Sequence, residues 1–469
     1  MVEMSTMWKL GITDLAAAFR AGSADPVSVA AEYRARITRI DPELNCYVAL
    51  NPNLEKEAAE SAARFQKSVP RSALEGVPIA VKDNLVVSGM PASWGSAVFA
   101  DRGNCETDEL PIARLRAAGA IILGKTNTPE FAVEGYTNNR LFGTTGNAWN
   151  SKLTPGGSSG GSVSAVAAGM AAAAIGTDGG GSIRRPAGYT GLCGLKPTIG
   201  AVPRSGGLPQ VLLDFEVAGG MARSAADLRL LHDVMAGPDR ADPMSRRRAE
   251  PPMPRENLRV LYVPLLGENP CDPGILSRCA DAVDVLRKMG HTVTEGHIPF
   301  ELDALNAFWS KFGQVGLASM RDAIPEMATK ASQKYLDMAD QGAAVPASEF
   351  YGALDQVREL RAAASIFFAD WDAIMIPSAA AQPWAADQPY PLTIDGQEVG
   401  PRGHAIYTGW VNAAGLPAIN LPAQRHDDGM PVGFQLIGDM FAEDLLLGLG
   451  ADYEALNGGW VWPEWLTND

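Results

Sequence analysis

Residues 151–205 are dense in Gly, Ser and Ala, and this stretch constrains the fold more than any other part of the chain. Thr154-Pro-Gly-Gly-Ser158-Ser159-Gly-Gly-Ser162 runs straight into a 13-residue apolar segment, 163–175. A flexible surface linker also has such glycine content, but it does not feed a segment that must be buried. The apolar run is too short to span a bilayer and reads as a buried helix. Glycines on both sides of paired serines let the backbone approach a ligand closely. A second cluster follows at once, Gly176-Thr177-Asp178-Gly179-Gly180-Gly181-Ser182-Ile-Arg184-Arg-Pro186. Three glycines before a serine make either a tight turn or a row of unobstructed N–H donors, as an oxyanion hole needs.

Around this stretch, helical and strand patterns alternate. Helices are expected over 14–20, which Thr13 precedes and Gly22 follows, and over 26–40 and 54–66, from their start and stop residues and apolar spacing. Gly76-Val-Pro-Ile-Ala-Val-Lys82-Asp83 reads as a short buried strand, 108–118 as a helix and 120–123 as a strand. The rhythm recurs at 258–263, 273–289 and 291–295, and again at 348–371 and 373–376. It predicts an α/β fold with helices on both faces of a sheet. Residues 237–255, rich in Pro, Arg and Asp, read as a surface excursion where a helical lobe begins. With no internal repeat, one compact unit with an inserted helical lobe is the plainest organisation.

Composition removes several classes of function. The 469 residues are 46% hydrophobic and 20% charged, a globular balance. A net charge of −15 argues against nucleic acid and against anionic membrane surfaces as partners. Residues 1–9 lack the basic and apolar regions of a secretory signal. Cys46, Cys105, Cys193, Cys271 and Cys279 are odd in number and form no C-x-x-C pair, which describes a reduced, cytoplasmic chain. The five histidines include no H-E-x-x-H, so no metal is expected.

Two motif matches fail on context. Gly119-Ala-Ile-Ile-Leu-Gly124-Lys125-Thr126 fits the P-loop expression, but its four intervening residues are themselves a strand, and Pro129 stands where the phosphate-binding helix should run. Gly156-Gly157-Ser158-Ser159-Gly160 fits the nucleophile elbow of α/β-hydrolases, yet no apolar strand precedes it. A lysine closes the chemistry-bearing set. Lys82 ends the strand before Asp83 and Asn84. It is either a solvated charge or a buried amine that desolvation makes neutral and basic.

Together these residues resemble the amidase signature family. The resemblance rests on Gly-Gly-Ser158-Ser-Gly-Gly-Ser, on Gly-Gly-Ser182-Ile-Arg 24 positions later, and on Gly191-Leu-Cys-Gly-Leu-Lys196-Pro-Thr. Gly76-Val-Pro-Ile-Ala-Val-Lys82-Asp, Leu123-Gly-Lys-Thr-Asn127-Thr-Pro-Glu130-Phe, and Ala414-Gly-Leu-Pro with Gly429-Met-Pro-Val-Gly-Phe agree with it. It implies one domain over 1–469, with a signature core at about 76–234. A helical lobe and pocket region would span about 238–372, and a C-terminal family segment about 404–456. The implied fold is a central mixed β-sheet flanked by helices on both faces.

The resemblance also implies roles. Ser182 would be the nucleophile, Ser158 the proton relay after a cis Gly157–Ser158 peptide, and Lys82 the base. The N–H groups of Gly179, Gly180, Gly181 and Ser182 would form the oxyanion hole. Ser159, Thr177, Asp178 and Arg184 would hold the glycine turn. No metal or organic cofactor is needed for that chemistry.

The expected substrate is a small amide, apolar or aryl, or a carbamate or ester cleaved by the same triad. Phe308, Trp309, Phe312 and Tyr335 fall in the helical lobe, and Phe131 and Tyr136 follow the Gly-Lys-Thr-Asn segment. At helical spacing such residues are more often core than pocket. Phe131, Tyr136 and Trp309 are the pocket candidates. One branch of the family liberates ammonia from glutamine for a partner within a tRNA amidotransferase. It carries an acid shortly before Ala-Gly-Leu-Pro, where this chain has His404-Ala-Ile-Tyr-Thr-Gly-Trp-Val-Asn. An inactive binding scaffold is disfavoured because all three triad positions hold competent residues. A homodimer is one assembly left open.

Overall fold

The computed structural model describes residues 4–246 and 256–467, with side chains from Thr6 onward. Strands β1 (Tyr47–Leu50), β2 (Pro78–Lys82), β3 (Ile121–Thr126), β4 (Ala173–Asp178), β5 (Cys193–Lys196) and β6 (Val217–Ala222) form one half of a sheet. Strands β7 (Arg259–Tyr262), β8 (Thr292–Glu295), β9 (Ala373–Pro377), β10 (Ala418–Pro422) and β11 (Gly433–Ile437) form the other. The 11 strands lie in the order β1-β3-β2-β4-β6-β5-β10-β11-β9-β7-β8. Pairing is parallel around β2 and around β7 and antiparallel through the middle, so the sheet is mixed. Every residue of β2, β3, β4, β6, β9 and β11 is buried, which requires cover on both faces.

Helices supply that cover, and most lie where their patterns put them. Before β2 come α1 (Ile12–Ala21), α2 (Pro26–Leu44) and α3 (Leu54–Gln66). Helix α1 stops at Gly22 in the left-handed conformation, and α2 starts on Asp25, which accepts from the N–H groups of Val27 and Ser28. Next are α4 (Leu110–Ala117), α5 (Gly160–Ala167) and α6 (Arg184–Thr190). The lobe is built from α7 (Asp303–Ala323), α8 (Gln333–Ala343) and α9 (Ala347–Phe367). Among the described residues no helix is long and apolar enough to cross a membrane.

The apolar run at 163–175 departs from expectation. It is not one helix: α5 ends at Ala167, and Ala173 already belongs to β4. Gly169 turns the chain at φ +69°, and a Cβ there would come within 2.3 Å of the Trp8 ring. A run of small buried residues carries no period that separates helix from strand. The expected excursion at 237–255 lies partly outside the described residues; its first part contains a short turn of helix, Pro243–Ser245.

Candidate active site

Strands β2 and β4 are parallel neighbours, so their carboxyl ends open on one edge of the sheet, where α/β proteins place ligands. Lys82 ends β2, and Thr177 and Asp178 end β4. Lys82 is fully buried; its Nζ donates to Ser158 Oγ at 2.7 Å and to Thr177 Oγ1 at 3.0 Å. Burial brings its ammonium down to about 7, against the opposing pull of Glu216 and Asp178. A lysine with that value is half neutral at pH 7 and can accept a proton. Thr177 Oγ1 also accepts from Asn84 Nδ2 at 2.8 Å. Asn84 reaches Glu216, whose carboxylate is held by Arg204 at 3.0 Å.

Ser158 follows a cis Gly157–Ser158 peptide and stands just before α5. Gly157 is packed so closely against the backbone of Tyr136 that a Cβ would lie 2.6 Å from its carbonyl oxygen. Ser159 links the loop to its surroundings: its N–H donates to the Ser182 carbonyl at 3.3 Å and its hydroxyl to the Thr177 carbonyl at 3.4 Å.

The glycine turn hangs from Asp178. This buried carboxylate accepts from Gly181 N at 2.6 Å and Ile183 N at 3.0 Å, and pairs with Arg184 Nε at 3.1 Å and Nη2 at 3.0 Å. Burial alone would raise its pKa, but the Arg184 guanidinium outweighs that and holds it well below the carboxylate range. Asn412 Nδ2 donates to the same carboxylate at 2.9 Å. Gly181 has φ +110°, and a Cβ there would lie 2.3 Å from Thr408 Oγ1 and 2.5 Å from Arg185 Nη1. No other residue fits.

This corrects the expected set of oxyanion donors. The N–H of Gly181 is committed to Asp178, whereas those of Gly179, Gly180 and Ser182 have no acceptor among the described residues. Ser182 is 8% exposed and faces a cavity. The Lys82–Ser158 bond is formed; among the described residues no hydrogen bond joins Ser158 to Ser182.

That cavity has a volume of about 360 Å³, with Gly180 and Ser182 in its wall. Its apolar side is made by Leu212, Trp309, Met338 and Tyr390, and its polar side by Arg185, Arg402, His404 and Glu134. Trp309 lies over the turn, 3.1 Å from where a Gly180 Cβ would be, and its ring stacks on Phe215 at an interplanar angle of 16°. His404 is buried against the Trp384 ring; burial and the nearby Arg185 keep its imidazole neutral.

The amidase family model matches residues 28–447. The chain belongs to the amidase family. It is 32% identical to an acylamidase of Rhodococcus erythropolis, over 97% of each chain. It is 34% identical to a glutamyl-tRNA(Gln) amidotransferase subunit of Symbiobacterium thermophilum, covering 93% of this chain and 94% of that one. A bacterial aryl acylamidase of known structure superposes with a TM-score of 0.87 at 25% identity, over 95% of this chain and 96% of that one.

In this amidase the expected residues gather unevenly. Lys82, Ser158, Ser159, Thr177, Asp178, Ser182 and Arg184 form one connected cluster. Thr177, expected to hold the turn, instead touches Lys82. Of the three pocket candidates only Trp309 lines the cavity. Phe131 is core, edge-on to Trp94 and to Tyr335 with ring centroids 5.7 and 5.3 Å away. Tyr136 offers its backbone to Gly157, while its side chain packs against the Tyr189–Trp384 cluster. Phe308 and Phe312 pack edge to face within the lobe. Sequence reasoning missed Asn84, Arg185, Glu216, Thr408 and Asn412. Thr408 and Asn412 carried one usable sign, polar residues four apart, one at the start of and one within the short, otherwise apolar helix Gly409–Ala414 that runs into Ala414-Gly-Leu-Pro.

Proposed function

We propose that this amidase hydrolyses the C–N bond of an amide with an apolar or aryl body through an acyl-enzyme on Ser182. Ser182 Oγ attacks the carbonyl carbon and gives its proton to Ser158, which passes its own to Lys82 Nζ. The N–H groups of Gly179, Gly180 and Ser182 meet the developing oxyanion. Collapse breaks the C–N bond, and the departing amine takes the proton back along the same path from Lys82. Water then cleaves the ester, releasing the acid and restoring Ser182. The observation that carries this reading is the buried 2.7 Å bond from Lys82 to Ser158, beside a serine that faces the cavity.

Free glutamine suits the cavity less well. Its ammonium would need an unpaired carboxylate, and Glu134 is already paired with Lys334 at 2.5 Å. A small-molecule amide is therefore the proposed partner, and a carbamate has the same carbonyl geometry. Five free cysteines suit a reducing, cytoplasmic setting. The test is product release by the purified chain, with Ser182→Ala as the blank, on aliphatic amides, anilides, an N-aryl carbamate and glutamine. Turnover of apolar amides with glutamine ignored is expected. Turnover of glutamine alone, or a Ser182→Ala variant as active as the wild type, would contradict the proposal.

A further inference from the structure

The chain has 54 acidic against 39 basic residues, yet its catalytic cavity is locally cationic. Two guanidiniums in the cavity wall, Arg185 and Arg402, have no carboxylate partner among the described residues. Arg185 is 3% exposed, and its terminal nitrogens bond only neutral groups: the Gly180 and Gly157 carbonyls and the Thr408 hydroxyl. Its Nε has no partner among the described residues. Arg402 stands on the exposed rim, and its guanidinium makes no hydrogen bond to a described residue; it lies over the face of Trp309, with its guanidinium carbon 5.4 Å from the ring centroid. His404, between them in the wall, is neutral and supplies no counter-charge. Among the described residues the one carboxylate in the cavity wall, Glu134, is neutralised by Lys334.

A solvated surface arginine needs no partner, but two unpaired guanidiniums crowded on one wall repel each other unless an anion completes them. Arginine is suited to that task through its bidentate fork. The geometry also links the two sites. The Cε2–Cζ2 edge of Trp309 covers Gly180, and the Arg402 guanidinium lies over the same side chain. The Trp309 indole therefore runs between the oxyanion donors and the guanidinium. We infer that the preferred substrate carries a carboxylate at its far end: an amide whose carbonyl meets Ser182, whose apolar body lies on Trp309, and whose carboxylate is bound by Arg402. This rests on the Ser182 reading only in fixing which end of the substrate reacts.

Two matched pairs test it and decide which side of the amide bears the charge. The first is 4-carbamoylbenzoate against benzamide, with the carboxylate on the acyl side. The second is N-benzoylglycine against N-methylbenzamide, with the carboxylate on the amine side. Binding to the Ser182→Ala enzyme is measured by calorimetry at low salt, and kcat/KM is measured on the wild type. In at least one pair the anion should bind about tenfold more tightly than its neutral partner, a gap that shrinks as salt rises. Arg402→Gln should bring that ratio to within about twofold of one, and Arg402→Lys should keep part of it. No gap in either pair, no detectable binding of any of the four, or a gap untouched by Arg402→Gln would overturn the inference. Failure of the Ser182 reading looks different: Ser182→Ala would still turn substrate over, whatever the binding ratios.

Discussion

The two walls of the cavity are built on opposite rules. On the catalytic side each polar side chain is buried and tied to the next, from Arg204 through Glu216, Asn84 and Thr177 to Lys82 and Ser158, with Asp178 and Arg184 behind the turn. On the substrate side the surface comes from segments far apart in sequence, 132–135, 309–314, 334–338 and 389–405, and its guanidinium, Arg402, is left without a carboxylate among the described residues. A pre-organised network suits chemistry that repeats on any amide. An incompletely satisfied wall suits selection, because the missing partner is brought by the substrate.

The difference can be broken from the catalytic side with the largest effects. Arg184→Ala should be the most damaging change to the fold, since it strands Asp178 as a buried charge; a loss of about 3–5 kcal/mol in denaturant melts is expected. An effect below about 1 kcal/mol would show that Asp178 is not dependent on its partner. Gly181→Ala should leave a folded protein with kcat reduced by about 10²-fold or more, because the turn cannot keep its φ and its donors move. Normal kcat in that variant would dissociate the turn from catalysis.

pH sharpens the same contrast. With Lys82 near 7, kcat/KM should be full above that value and fall tenfold per pH unit below about 7, as the base becomes protonated. A flat profile from pH 5 to 9 would remove Lys82 as base. The same group weakens the fold: its pKa is lower folded than unfolded, so the unfolded state binds more protons between about 7 and the normal lysine value. Its cost is complete below the folded pKa and fades as pH rises through that window. Lys82→Met should therefore be inactive yet melt higher than wild type, by more at pH 6 than at pH 9. On the substrate side the effects are smaller and fall on KM. Trp309→Ala should raise KM for aryl amides about tenfold with less change in kcat. Phe131→Leu should lower the melting temperature without moving KM, since its ring packs in the core.

The same contrast explains what could be read before the fold was seen. Lys82, Ser158 and Ser182 were legible because glycine-rich turns and a strand-end lysine leave local signatures: backbone that must turn at positive φ or approach a neighbour closely accepts little besides glycine. The sheet and its helices were legible from period and capping. What failed did so where the information is not local. The run 163–175 consists of small apolar residues that suit helix and strand alike, and only the position of Gly169 divides it. Phe131 and Trp309 are both large buried aromatics; which one meets the cavity is decided by α7 lying over the glycine turn, a contact between residues more than a hundred positions apart. Arg402 stands in a polar, proline-bearing segment and looks like any surface arginine until Trp309 is placed beside it.

In the proposed mechanism Lys82 drives proton transfer through Ser158 and supplies the proton that lets an amine leave. The most direct measurement is kcat/KM of Lys82→Ala on an anilide and on the aryl ester of the same acid, each relative to wild type. An aryloxide leaves without a proton and an amine does not, so the anilide should lose about 10²-fold more than the ester. Equal losses on both substrates would contradict it.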